Sequence, residues 1–189
     1  MRKVLIITLT IITNYTFAQT NLETNPVGRK GFMVGVGLGA GTLSLNTNDT
    51  SKLTFSTTLP NIKVGYLLHK RFALLALLPG ANYKYNGNDR GFEGLIIAGQ
   101  YWIKDNWWVS GGTGLTFDAP AFYTVKDPKT AAFYTGAPAF TFSTGYEIWN
   151  KGRFALDLQY RIFIGKSNLP NNGQREGISN MLIVGFNWY

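Results

Sequence analysis

The 189-residue chain has no cysteine and a single histidine, His69. The first absence rules out disulfides and thiolate metal ligands, and the second leaves few ways to assemble a histidine-based catalytic or metal centre. Charge is sparse, with Asp, Glu, Lys and Arg making up 15% of residues. After the N-terminus there is no run of 18 apolar residues, and the mean hydropathy of −0.03 is far below that of a helical membrane protein. Helical periodicity is missing as well. What is abundant is glycine (22 residues) and aromatic side chains (15%), within a chain that is 45% hydrophobic and carries a net charge of +8.

The first 18 residues have the organisation of a secretory signal. Arg2 and Lys3 form a positive start, Val4 to Ile12 a short apolar run, and Thr16-Phe17-Ala18 a small-residue cleavage site. Removal of residues 1–18 takes the net charge from +8 to +6. Residues 19–30 then form an N-terminal periplasmic segment, and residues 31–189 the folded domain.

Along that domain apolar residues recur with a period of two, the signature of strands with unlike faces. Eight strands are expected, beginning with Gly31 to about Leu45 and then roughly 59–68, 72–85, 92–103, 107–117, 133–149, 153–165 and 178–189. In the seventh, Phe154, Leu156, Leu158, Tyr160, Ile162 and Ile164 alternate with Arg153, Ala155, Asp157, Gln159, Arg161 and Phe163. Short turns at 69–71, 104–106 and 150–152 alternate with long loops near 46–58, 86–91, 118–132 and 166–177, which are rich in Asn, Asp, Gly, Pro and Lys. Facing residues in a hairpin share a face. The turns therefore pair Leu68 with Phe72, Ile103 with Trp107, and Glu147 with Ala155, keeping like faces together. Pro79 and Pro138 interrupt this pattern, and Pro79 is expected near the outer rim, at a bulge.

Alternation also fits a soluble sandwich, but three features favour a barrel in lipid. Trp102, Trp107, Trp108, Trp149 and Trp188 all adjoin a short turn or the last residues, on one rim of a meander, as membrane-interface aromatics would. The opposite strand ends carry Tyr83, Tyr85, Phe92, Phe117, Phe122, Tyr123, Phe133 and Tyr134, completing a second girdle. The non-apolar face is small or charged (Gly35, Gly37, Gly39, Gly41, Thr141, Ser143, Gly145), which suits a narrow lumen. Glu147, Arg153, Asp157 and Arg161, with Glu93, are the candidate lumen charge network. Finally, strands cross a bilayer only as a closed barrel, and eight suffice to close one.

These strands, short turns, long loops and the aromatic ending Phe186-Asn187-Trp188-Tyr189 resemble the small outer-membrane β-barrels of the outer-membrane protein X, A-barrel and W types. The resemblance spans the mature chain and implies a closed, all-β, up-and-down antiparallel transmembrane barrel in the outer membrane of a Gram-negative bacterium. It implies recognition of the aromatic ending by the barrel-assembly machinery, although the apolar phase of Leu182, Val184, Phe186 and Trp188 is one residue off Tyr189. It carries no catalytic motif. Lipid-modifying barrels of this kind use a histidine near the outer leaflet, whereas His69 falls in a turn expected to face the periplasm, so no enzyme and no cofactor is expected. Gly35-Val36-Gly37-Leu38-Gly39-Ala40 resembles a dinucleotide fingerprint, but no helix follows it. The expected role is structural or interactive, through extracellular loops. The alternatives are narrow transport of small apolar solutes and, less favoured, lipid modification. The expected partners are outer-membrane lipids, including lipopolysaccharide phosphates meeting Lys126, Lys129, Lys166 and Arg175, with no nucleic acid.

Overall fold

The computed structural model describes residues 28–47, 50–58, 61–121, 123 and 132–189. Residues 1–27, and with them the signal segment and most of the 19–30 segment, lie outside the described residues, as do Phe122, Lys126 and Lys129.

Ten strands follow one another: β1 (Gly31–Thr47), β2 (Thr50–Thr57), β3 (Asn61–His69), β4 (Phe72–Leu78), β5 (Gly80–Tyr85), β6 (Asn88–Trp102), β7 (Trp107–Pro120), β8 (Tyr134–Lys151), β9 (Phe154–Asn168) and β10 (Gln174–Trp188). They make eight staves, because two staves are each broken in the middle. β3 pairs with the lower part of β1 and β2 with its upper part. Likewise β4 pairs with the lower part of β6 and β5 with its upper part. All ladders are antiparallel, and the ring closes where β1 meets β10 from Val34↔Trp188 to Thr47↔Arg175. Pro79 sits in the β4–β5 break rather than at the outer rim. It has no N–H to give, and its carbonyl accepts from the Gly94 amide at 2.8 Å. Pro138 lies beside the bulge between Gly114 and Thr116.

The apolar phase points outward. Phe154, Leu158, Tyr160 and Ile164 on β9 are exposed, as are Leu182, Val184 and Phe186 on β10 and Phe32, Val34, Val36 and Leu38 on β1. From Phe154 to Ile164 the β9 stripe runs about 33 Å along the strand at ~3.3 Å per residue. At a tilt of roughly 40° that stripe covers about 25 Å of bilayer, the height of a lipid-facing band. The opposite parity is buried, with Ala155, Asp157, Gln159, Arg161 and Phe163 all inside.

Two turn registers differ from the sequence reading. His69 faces Phe72 and Leu67 faces Ala73, with a bulge between Leu67 and His69. Glu147 faces Asp157, not Ala155, because Gly152-Arg153 forms a two-residue turn and a bulge follows Glu147. That bulge leaves both Ile148 and Trp149 facing outward. Three of the long loops prove to be mostly strand. β2 fills most of 46–58, Asn86-Gly87 closes a two-residue hairpin with both φ angles positive, and the last connection shrinks to 169–173. In these segments the outward apolar stripe is short or missing: β2 shows only Leu53 and Phe55, and Asn88–Gly91 shows none.

Among the described residues no ladder joins β2 to β5. The wall is therefore continuous at the short-turn end, through β3–β4, but carries a seam at the long-loop end. The Ser56 hydroxyl reaches across it, donating to the Asn82 carbonyl at 2.6 Å.

The outward direction of the apolar phase has a measurable consequence. Leu158 is half-exposed, so Leu158→Arg on a soluble protein would cost almost nothing. In a barrel refolded into vesicles it is expected to lower unfolding stability by about 2–4 kcal/mol, read from denaturant midpoints.

Candidate functional site

The interior is filled in three layers, each set by the inward parity of the strands. The lowest, at the short-turn end, centres on Glu147 of β8. Its carboxylate accepts from Trp102 Nε1 at 2.9 Å, from the Tyr189 hydroxyl at 2.8 Å and from the Arg29 guanidinium at 2.6 Å. Arg29 lies over the Trp102 and Tyr189 rings and also donates to the Asp105 carbonyl. This explains why Tyr189 falls out of the apolar phase: its ring turns into the lumen and its hydroxyl closes the floor.

Just above, the Asp157 carboxylate accepts from Trp108 Nε1 (3.1 Å), Gln159 Nε2 (2.7 Å) and Asn187 Nδ2 (3.0 Å). The Lys63 ammonium stands 3.8 Å from it and over the Trp108 ring. Arg161 makes no direct ion pair with Asp157. It donates instead to Ser143 at 3.0 Å, to Asn61 at 2.6 Å and to Gln159 at 3.1 Å, so Gln159 links the two charges. The Trp108 ring lies against Gly145 on the neighbouring strand, where a Cβ would meet ring carbon at 2.3 Å. The middle layer is apolar: Phe92, Phe163, Ile96, Ile183, Met181, Leu43 and Leu77 form the core.

The sequence pattern hides the upper layer: Arg90, Asp118 and Arg175 fall in loop-like segments, and Tyr83, like Phe92 below it, is expected in the outer girdle but points into the lumen. Asp118 of β7 is fully buried and accepts from Arg90 Nε at 2.8 Å, from the Tyr83 hydroxyl at 2.8 Å, and from the Arg175 guanidinium. Arg90 also caps the Asp118 and Ala132 carbonyls, and Arg175 Nε reaches Thr47 at 3.2 Å. The signal for it was parity: Arg90, Asp118 and Arg175 each continue the inward phase of their strand. Above it opens a cavity of about 540 Å³ at the long-loop end, whose wall includes Lys52, Tyr83, Lys84, Tyr85, Tyr134 and Arg175.

Three further placements correct the sequence reading. Trp102 and Trp108 are 0% and 1% exposed and point into the lumen, so they are not interface residues. Their indole N–H groups satisfy buried carboxylates, which outweighs the interfacial preference of tryptophan. Trp107 and Trp149 face outward, and so does the half-buried Trp188, whose ring lies under the Arg153 guanidinium at 5.1 Å. Arg153 is an exposed turn residue outside the lumen network, because the two-residue turn takes it out of the β9 ladder. Glu93 shares the outward parity of Leu95 and Ile97 and lies against Gly80 and Gly91. Among the described residues no group of acidic or histidine side chains is placed to hold a metal, and His69 makes only a local turn contact with the Arg71 amide.

The closed ring, the outward apolar band and the packed polar lumen match one architecture. The chain has the fold of a small outer-membrane β-barrel. Neisserial surface protein A has this fold over 84% of this chain and 96% of its own, with a TM-score of 0.56 at 18% identity. The attachment invasion locus protein Ail of Yersinia pestis, solved with the heparin analogue sucrose octasulfate, covers 84% of this chain and 99% of its own, with a TM-score of 0.50 at 12% identity. The outer membrane protein OprG of Pseudomonas aeruginosa aligns at 10% identity and a TM-score of 0.45, over 86% of this chain and 97% of its own. No family model matches the sequence, and no curated protein does so either. The lipid-facing band and the fold together place this barrel in the outer membrane.

The lower lumen is a stability device with a definite test. In Asp157→Ala the Lys63 ammonium loses its ion-pair partner inside the barrel. Unfolding stability is expected to fall by about 3–5 kcal/mol. Adding Lys63→Met should restore only part of that loss, because Trp108, Gln159 and Asn187 still lack their acceptor, as read by denaturant unfolding of both variants.

Proposed function

We propose that this barrel is a non-conducting interaction protein, presenting its long-loop end outward. The reading rests on the filled lumen. From Glu147 through Asp157, the apolar layer and Asp118, successive sets of side chains occupy the interior, as expected where eight staves leave room only for side chains. What the protein offers to a partner is then the outer end: the upper parts of the strands, their short connections and the basic cavity between them. The neighbours' ligands and roles belong to those proteins, and at such low identity they support the fold alone.

A second reading is favoured by the seam between β2 and β5: sideways passage of small apolar solutes from the cavity into the membrane. The two readings separate in one experiment. Purified barrel in planar bilayers and in swelling liposomes is expected to give neither steady conductance nor uptake of small polar or apolar solutes. Robust uptake of an apolar solute would replace the interaction reading with the transport one.

A further inference from the structure

The cavity at the long-loop end has an unusual chemical balance. Among the described residues its wall holds four cations (Lys52, Lys84, Arg90 and Arg175) and no carboxylate. Asp118 lies beneath it, already shared by Arg90, Arg175 and Tyr83. One aspartate cannot neutralise two arginines and two lysines, and among the described acids the next nearest is Asp89, 3.8 Å from Lys84. The two arginines are not loose. Arg90 and Arg175 are nearly buried, held by Asp118 and by the rings of Tyr134, Tyr83 and Tyr85 at 5.1–5.6 Å. Fixed guanidinium groups suit oxyanions, which they bind through paired donors. Tyr85 and Tyr134 add ring surface and hydroxyl groups, the complement of a sugar's apolar face and hydroxyls. The volume of about 540 Å³ admits a ligand of one or two sugar rings.

The seam adds a route. Lys52 comes from β2 and Tyr83, Lys84 and Tyr85 from β5, so the two unpaired strands that bound the seam both line the cavity. Lys52 faces Leu45, whose other neighbour Gly177 adjoins Ile178, an outward residue near the top of the apolar band. The cavity therefore begins at the level where lipid headgroups sit.

We propose that this cavity is a binding site for a phosphorylated sugar, held by Arg175 and Lys52 with Lys84 at the rim and the tyrosine rings as walls. The same chemistry is carried by a free sugar phosphate and by the phosphorylated sugar headgroup of a glycolipid entering at the seam. The proposal rests on the long-loop end being the interacting end. Conductance tests that broader reading, whereas ligand binding tests this one, so the two can fail separately.

The experiment is titration calorimetry on the refolded full barrel in a zwitterionic detergent, with glucose 1,6-bisphosphate as probe and glucose and inorganic phosphate as controls. Glucose 1,6-bisphosphate is expected to bind more tightly than either control, and more weakly as salt is added. Arg175→Gln is expected to weaken binding about tenfold, the loss of one charge-assisted contact. The exposed pair Lys52→Gln with Lys84→Gln provides a second variant that leaves the Asp118 cluster intact, and it is expected to weaken binding in the same direction. Heat-modifiable gel migration confirms that each variant is folded. Absence of glucose 1,6-bisphosphate binding to the wild type, equal binding of inorganic phosphate, or unchanged affinity in the folded variants would overturn the proposal. A second arm uses phosphatidylcholine vesicles with and without bisphosphorylated lipid A. Binding to the lipid A vesicles that glucose 1,6-bisphosphate displaces and that the Lys52→Gln with Lys84→Gln pair weakens supports the headgroup as the source, and soluble binding with no lipid A binding supports the free sugar phosphate.

Discussion

A backbone amide or carbonyl left bare in hydrocarbon costs several kcal/mol, and every other feature of this molecule follows from avoiding that cost. The ladder from β1 to β10 closes the ring, and closure fixes which way each side chain points. With the outward parity given over to Leu, Val, Ile and aromatic rings, the inward parity must fill a bore only a few side chains wide. Glycine therefore sits opposite the bulkiest groups: Gly145 against Trp108, and Gly177 against Phe92, where a Cβ would come within 2.3 Å of the ring. The seam between β2 and β5 is the exception to full pairing. It lies at the long-loop end, between Thr50–Thr57 and Gly80–Tyr85.

Inside the bore, polar groups are tolerated because they satisfy one another. Glu147 and Asp157 each accept several donors, two of them the indole N–H groups of Trp102 and Trp108. The same residues fill the lower bore, so its filling and its stability are two results of one arrangement. The upper cluster differs in having, among the described residues, more cation than anion, and the proposed ligand site rests on that difference.

Much of the fold was legible in the sequence because alternation is imposed by the membrane itself. β9 reads directly from Phe154 to Ile164, and the outward face of β10 from Ile178 to Phe186. Legibility fails where that pressure ends. Thr50–Thr57 and Asn88–Gly91 are mostly Thr, Ser, Lys, Asn, Asp and Gly, with Leu53 and Phe55 the only apolar residues, and composition alone reads them as loops. The Arg90–Asp118–Arg175 cluster was lost with them. At the other end, tryptophan position gave the rim correctly but not the side, because Trp107 and Trp108 are adjacent and only strand phase separates them. Arg153 was misplaced by one residue of turn length, since a two-residue turn and a bulge after Glu147 preserve the faces just as a three-residue turn does.

That adjacent pair offers the most direct test of the central claim, that the apolar parity meets lipid and the other fills the lumen. Two single-tryptophan variants, one keeping Trp107 and one keeping Trp108 with the remaining tryptophans changed to phenylalanine, would be refolded into vesicles containing brominated phosphatidylcholine. Fluorescence of Trp107, 42% exposed on the outer face, should be strongly quenched, and that of Trp108, 1% exposed within the bore, should be largely spared. Equal quenching of both, or quenching of Trp108 alone, would contradict the account.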